Sequence, residues 1–236
     1  SVDPTGLGEY VLNTDQLVNS NARFFPAGFP AVASSKAALT SKIVEGEDLT
    51  IYGNVGIATI DVNGGATARD IAAAVTARKS ETGVYADAQT RMNIGFSELA
   101  AGSAASSDTV SFNLYGKNGT AQLVSANVAF GITDGAAADL SKLSGAVNAN
   151  TGKTGITASL NVEKTIMTLI SDEGYDIVVE DYALVSGTGP TMNVSGADEK
   201  YANLTDSTTQ FSDNSTDYYS PIELTAGTNP DTVGVT

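Results

Sequence analysis

The sequence contains no cysteine, no histidine and no tryptophan. Without cysteine the chain has no disulfide and offers no thiolate ligand to a metal ion. Without histidine it lacks the usual general base near neutral pH and the commonest ligand of zinc, copper or iron. Ser-His-Asp triads, Cys-His pairs and the HExxH zinc helix are therefore excluded. We expect a protein that is not an enzyme and that carries no metal or other cofactor.

Positive charge is also scarce, because 12 basic side chains face 27 acidic ones and the net charge is −15. Binding to a polyanion needs clustered lysine and arginine, so we expect neither nucleic acid nor an anionic membrane as a partner. The chain has no apolar run of about 18 residues that could span a bilayer. Its first residues also lack the basic start and apolar run of a signal peptide.

The apolar material that is present suffices for real cores. Hydrophobic residues make up 42% of the 236 residues, but many of them are alanine and valine, which favours thin layers. Two short apolar runs, residues 49–52 and 57–62, are separated by Gly53 and predict a pair of strands. Thr67 follows as a helix N-cap, with Asp70 three residues later as in a capping box. The helix has an apolar stripe and should end before Gly83, with an extended segment after it; the stripe comprises Ala68, Ile71, Ala72 and Val75.

The same order then recurs. Residues 108–115 and 123–132 read as strands, Asp139 as the cap of a helix with an apolar stripe at Leu140, Leu143 and Val147, and Gly155 as its end before a further strand. A shift of 72 residues lays residues 67–86 over 139–158 without a gap. Six of the 20 positions are identical: Ala74/Ala146, Val75/Val147, Ala77/Ala149, Thr82/Thr154, Gly83/Gly155 and Ala86/Ala158. This match predicts a duplicated β-β-α-β unit.

The fold class predicted is therefore α+β. Two duplicated units, residues 46–105 and 106–185, should each form a small twisted, mostly antiparallel sheet covered by one short helix. The second unit should close with a hairpin formed by residues 164–170 and 175–181 around a turn that ends at Gly174. Irregular, β-rich flanks at 1–45 and 186–236 complete the chain, and the second of these is rich in loops.

Three strings carry a resemblance to a known family. Residues 65–84 (GATARDIAAAVTARKSETGV), residues 139–158 and the strand-rich segment 168–182 resemble the central, variable region of bacterial flagellins, with two copies of the short "IN" motif that flagellins share with hook-associated proteins. The residues of the motif are Thr67, Ile71, Val75, Gly83, Asp139, Leu143, Val147 and Gly155. Long heptad-bearing terminal helices, which form the filament core in flagellins, are not present in this sequence.

The resemblance implies an outer, D2/D3-type domain of a filament subunit, without the terminal helices needed for polymerisation. Such a hypervariable domain is secreted and extracellular, belongs to the bacterial flagellum and serves motility as a structural protein. Its partners would be other flagellin subunits, through the missing regions, with lateral contacts between outer domains and O-linked glycans as further expectations. Two alternatives stay open: the equivalent domain of a hook-associated junction or cap protein, and a carbohydrate-binding or adhesive surface module.

Other candidate sites have a simpler structural explanation. An acidic group could bind calcium or act as a hydrolytic carboxylate pair, although its spacing is not that of a calcium loop and a solvated turn explains it better: Asp172, Glu173, Asp176, Glu180 and Asp181. An aromatic group could stack on carbohydrate or merely anchor a loop: Tyr201, Phe211, Tyr218 and Tyr219. Four N-glycosylation patterns are expected by chance in so Asn- and Ser-rich a chain; they start at Asn118, Asn193, Asn203 and Asn214.

Overall fold

The computed structural model of the chain describes residues 31–33, 36–39, 45, 48–97, 106–131, 138–186, 190–196, 222–224 and 232–235. These residues form antiparallel sheets and a few short helices, so the protein is of mixed α+β class. The strands are β1 Ala31–Ala33, β2 Leu49–Tyr52, β3 Ile57–Ile60, β4 Thr90–Phe96, β5 Ser106–Tyr115, β6 Gln122–Phe130, β7 Ala138–Asp139, β8 Ile156–Leu160, β9 Met167–Ser171, β10 Ile177–Leu184, β11 Met192–Gly196, β12 Ile222–Leu224 and β13 Thr232–Val235. The helices are a 3-10 turn Lys36–Ala38, α1 Ala68–Ala77, α2 Lys79–Thr82, α3 Ser141–Asn148 and α4 Thr151–Thr154.

The strands form three sheets. A six-stranded sheet has the order β1-β13-β10-β5-β6-β7, a five-stranded sheet has the order β12-β11-β4-β9-β8, and β2 pairs with β3 alone. The predicted strands at residues 49–52, 57–62, 108–115 and 123–132 are all present, with ends that differ from the prediction by at most two residues. Alternating burial along β5 explains why this strand could be predicted from the sequence.

One large core fills the space between the two large sheets and α3. Phe96 of β4 lies edge-on to Phe130 of β6, with ring centroids 5.5 Å apart, so the two sheets meet through their side chains. Helix α3 contributes Leu143 and Val147, which are fully buried. The Tyr182 hydroxyl donates to the Pro190 carbonyl oxygen over 2.9 Å, which satisfies the polar end of a buried ring.

A second, smaller core lies between the β2-β3 hairpin and α1. Its buried members are few and come from a short stretch of sequence: Leu49, Ile51, Ile60, Val62, Val75 and Val84. Strand β4, by contrast, packs into the large core through Met92, Ile94 and Phe96. The change from the small core to the large core therefore falls between Val84 and Met92.

The predicted hairpin at residues 164–181 is wrong. Strand β9 pairs on its two sides with β4 and β8, while β10 pairs with β5 and β13. The turn between them is real, since the Gly174 amide donates to the Ser171 carbonyl oxygen over 3.1 Å, but it carries the chain from one sheet to the other. A turn signal fixes a reversal of the chain and does not fix which strands then exchange hydrogen bonds.

The extended segment predicted after Gly83 is also corrected. Residues 83–89 form no strand, whereas the corresponding residues after Gly155 form β8 and pair with β9. In the first unit the strand after the helix is β4, which begins only at Thr90 and also pairs with β9. Within the described part of the chain, no helix is long and apolar enough to cross a membrane.

Candidate functional site

The two units contain the same arrangement of hydrogen bonds at the end of their helices. In each, a short helix ends in a threonine whose hydroxyl donates to the carbonyl oxygen four residues earlier, over 3.1 Å in both Thr82 and Thr154. The same hydroxyl accepts the amide two residues later, again over 3.1 Å in both units. Both threonines are completely buried, so their hydroxyls need these partners.

A left-handed glycine follows each threonine. Gly83 has φ 80° and Gly155 has φ 70°, and each amide closes the preceding helical turn by donating to the carbonyl oxygen of Lys79 or Thr151. This is the usual glycine end of a helix, since a Cβ atom is strained at positive φ. The structure thus places both predicted glycines at equivalent turns, which send the chain back along the helix.

The threonine carbonyl groups face the preceding strand pair in both units. The Thr82 oxygen accepts the Val55 amide over 3.2 Å, and the Thr154 oxygen accepts the Lys117 amide over 2.9 Å. Gly53 and Gly116, each directly after a tyrosine, lie so close to these two carbonyl groups that an added Cβ would clash with the backbone. Steric crowding therefore explains why glycine follows tyrosine at both positions.

A polar side chain joins each helix to the segment that returns along it. The Thr76 hydroxyl both donates to the Ala86 carbonyl oxygen (3.1 Å) and accepts the Ala86 amide (3.0 Å). Asn148 makes the same two bonds to the backbone of Ala158, at 3.0 and 2.8 Å. Thr76 and Asn148 are 72 residues apart, as are Ala86 and Ala158, although threonine and asparagine have different hydrogen-bonding groups.

The start of the two helices differs. Thr67 caps α1 in a capping box: its hydroxyl accepts the Asp70 amide over 3.2 Å, and its own amide donates to the Asp70 carboxylate over 3.1 Å. Helix α3 begins later than predicted, with Leu140 at the N-cap position and no side-chain cap. Asp139, expected to be the cap, is the last residue of β7, and its carboxylate accepts the Ser141 amide over 2.9 Å.

The hydrogen bonds at Asp139 have an electrostatic effect. Those from Ser141 hold the pKa of the Asp139 carboxyl below its usual value, since they favour the charged form. The carboxylate thus stays ionised beside the first turn of α3, where negative charge is favourable.

The apolar stripes of the two helices are buried to different extents. Val75 and Ala72 are buried in α1 but Ile71 is only partly so, whereas Leu143 and Val147 of α3 are fully buried. Only α3 is enclosed by two large sheets, and this accounts for the difference. The motif residues therefore serve as packing and turn positions, and no reactive group lies among them.

The acidic candidates do not converge. Asp172 accepts a hydrogen bond from Gln89, Asp181 from Asn113, and Glu180 from the Tyr115 hydroxyl over 2.7 Å. That last bond is the main cause that raises the pKa of Tyr115 to about 12. Among the described residues no group of three or more acidic side chains is placed to hold a metal ion.

Asp176 is the exception to these solvated carboxylates. Burial, and next the charge of Asp70, raise its pKa to about 6, and its Oδ1 atom is buried without a hydrogen-bond partner. It lies at the junction between the two cores, where the Arg69 amide donates to the Gly174 carbonyl oxygen and the Arg69 guanidinium lies 4.7 Å from the Tyr175 ring centroid. The contacts of Arg69 link α1 to the turn before β10, and the Asp176 carboxylate beside them is poorly solvated.

The remaining candidates give no site. Asn118 lies in the turn after β5, and Asn193 is the second residue of β11, where it pairs with Gly95 and Glu223. The aromatic group and the other two glycosylation patterns lie outside the described residues; they comprise Tyr201, Phe211, Tyr218, Tyr219, Asn203 and Asn214. Thr82 and Thr154 are positions whose importance the sequence reasoning missed, although their identity at the 72-residue shift was a signal for them.

A comparison with known protein families finds a match to a motif of structural proteins. The family model described as the flagellin hook IN motif matches residues 48–95, which comprise the β2-β3 hairpin, α1, α2 and most of β4. The match makes residues 48–95 similar to a motif of flagellins and hook proteins, and it supports a flagellin- or hook-type structural role. No curated protein matches the chain.

Proposed function

We propose that this chain is the outer, surface-exposed module of a flagellar filament subunit and that it acts as a scaffold and not as an enzyme. The observation that carries the proposal is the match of the flagellin hook IN motif to the unit built from β2, β3 and α1. The polar groups of the motif bond to the chain's own backbone, so they are occupied in holding the unit together. In this reading the helices that polymerise the filament belong to regions outside this chain.

The second unit is, in this proposal, a copy of the first. Four features that occur in both units support this. They are the buried threonine, the left-handed glycine, the glycine after tyrosine that has no room for a Cβ atom, and the polar side chain of the helix that bonds to an alanine backbone. A generic helix end would explain the glycine alone. It would not explain a buried threonine that faces a strand-pair glycine in both places.

The net charge of −15 suits a projecting module. Neighbouring projections of the same sign repel each other and resist nonspecific association. In this proposal exposed apolar side chains make the lateral contacts between neighbouring modules. Four such side chains lie on the first unit: Tyr52, Val55, Ile57 and Tyr85. O-linked glycans on exposed serine and threonine side chains remain part of the proposal.

A domain of a hook-associated protein is the second candidate, because the matching family is described by both the flagellin and the hook. Antibodies raised against the purified chain, used in immunogold electron microscopy of the producing cells, separate the two. Labelling along the whole filament supports the outer-domain role, labelling only at the hook junction or the tip supports the second candidate, and unlabelled flagella refute both.

An adhesive role would appear as binding to a glycan array that is lost when Tyr218 and Tyr219 are both changed to alanine. A silent array, together with filament labelling, favours the scaffold. The isolated chain should also stay soluble and form no filaments, and fibres grown from the purified protein would contradict the assignment of polymerisation to other regions.

A further inference from the structure

Two asparagine-glycine pairs occur in the sequence, Asn63-Gly64 and Asn118-Gly119. Such pairs are chemically labile because glycine has no side chain to shield its backbone nitrogen or to restrict its backbone. That nitrogen can attack the carbonyl carbon of the preceding side-chain amide. The reaction needs the asparagine side chain and the following peptide to reach each other, so the local structure decides which pair reacts.

Asn63 lies where such movement is easy. It is the first residue of an exposed turn between β3 and α1, in which the Ala66 amide donates to the Asn63 carbonyl oxygen over 3.1 Å. Gly64 and Gly65 form the middle of the turn, and Gly65 has φ 80°. Within the described part of the chain no hydrogen bond holds the Asn63 side-chain amide, so its rotation towards the Gly64 nitrogen breaks no internal bond.

Asn118 lies in a contrasting environment. Its Oδ1 accepts the Gly116 amide over 2.7 Å, and its Nδ2 donates to the Leu114 carbonyl oxygen over 3.1 Å and to the Thr120 carbonyl oxygen over 2.7 Å. The side chain is half-buried and closes the turn between β5 and β6. Attack by the Gly119 nitrogen would require these bonds to break, and each one adds to the barrier.

We propose that Asn63 is a site of spontaneous deamidation in the folded protein and that Asn118 is protected. The Gly64 nitrogen forms a bond to the Asn63 Cγ atom, the side-chain nitrogen leaves as ammonia, and a five-membered imide results. Water then opens the imide at either carbonyl group and gives aspartate or isoaspartate. One water molecule is consumed and one ammonia released, without an oxidant, a reductant or an enzyme.

The modification would act on the smaller core. Either product adds a negative charge to the turn, and isoaspartate also adds a methylene group to the main chain three residues before the Ala66 amide. Ala66 packs on the core formed by β2, β3 and α1, and Thr67 caps the helix directly after it. Ageing of the protein would therefore loosen the first unit before the second.

The test is to incubate the folded full chain in heavy-oxygen water at mildly alkaline pH and to map the digested peptides by mass spectrometry. Each reaction incorporates a labelled oxygen, which separates it from deamidation during digestion. We expect the peptide with Asn63 to gain label at least about tenfold faster than the peptide with Asn118, since breaking even one of the three hydrogen bonds that hold Asn118 slows its reaction by about that factor. In denaturant the two rates should differ by less than about threefold, because neither site is then protected.

Asn63→Gln provides the matched control, since the longer side chain forms the ring far more slowly, and it should remove the label from that peptide alone. Similar rates for the two peptides in the folded chain, or a faster rate at Asn118, would overturn the proposal. Labelling of both sites only after denaturation would do the same, because it would mean that the turn holds Asn63 as firmly as Asn118.

Discussion

The first and second units have the same hydrogen bonds at their helix ends and very different surroundings. In the first, a two-stranded sheet and one helix enclose a small core, and Tyr52 and Ile57 remain more than half exposed. In the second, β5 and β6 are extended to ten and nine residues, and β10 pairs along β5. The comparison shows that the helix-threonine-glycine turn is a local device, which works equally well in a thin layer and in a thick core.

The first unit has a small core and the second shares a large one. This difference should decide whether a destabilising substitution unfolds one unit or the whole domain. The first unit depends on a few aliphatic contacts, and an isolated two-stranded sheet has little stability of its own. Among the described residues, the Arg69 amide joins it to the turn at Gly174, next to β10 of the large core. The second unit shares its core with β4 and β11, two strands that lie outside it in the chain, so we expect it to unfold only with the whole domain.

The largest effect should come from burying a charge in each helix stripe. Val147→Asp places a carboxylate at a fully buried position between two sheets, and we expect a loss of more than about 4 kcal/mol and no cooperative folding. Val75→Asp should unfold residues 49–84 and leave the large sheets folded. Hydrogen exchange read by mass spectrometry measures both, and global unfolding by Val75→Asp would show that the two cores are not separable.

An intermediate effect should follow from alanine at the two left-handed glycines. Gly155→Ala meets only the flexible end of the Lys117 side chain and should cost about 1–2 kcal/mol from the positive φ. Gly83→Ala would in addition clash with the Asn54 side chain, so its cost should be higher, roughly 2–4 kcal/mol. Denaturant unfolding of the two variants gives the ranking. Equal losses would mean that Asn54 moves aside freely.

The smallest effect concerns the junction between the units. The folded pKa of Asp176 is raised to about 6, above its ordinary value of 3.8, so the folded state binds the additional proton between these values. The contribution of Asp176 to stability should therefore rise as the pH falls from above 6 towards 4. Asp176→Asn should remove this slope and stabilise the protein at neutral pH by roughly 1–2 kcal/mol, after allowance for partial exposure.

Thermal unfolding across this pH range checks the expectation, with Asp61→Asn as the control because Asp61 is exposed in the loop after β3. An unchanged pH slope in Asp176→Asn would show that the carboxylate is solvated in the folded protein.

The sequence was informative wherever one short segment determines its own structure. The capping box at Thr67, the glycine ends of both helices and the alternation in β5 each depend on neighbours within a few residues, and each is found in the structure. Asp139 is not the cap of α3, because Leu140 takes the N-cap position and β7 extends to Asp139. Strand β7 pairs with β6, and the local sequence pattern does not reveal this pairing.

Strand pairing was decided by the tertiary structure alone. The apolar runs that became β9 and β10 suit a hairpin, but β9 lies between β4 and β8, and β10 lies between β5 and β13. Hydrogen bonds between strands carry no sequence code of their own, and the partner is chosen by which buried faces together fill the core. The sequence by itself determined where the chain turns and which side chains point inward, and the packing of two sheets determined which strands lie side by side.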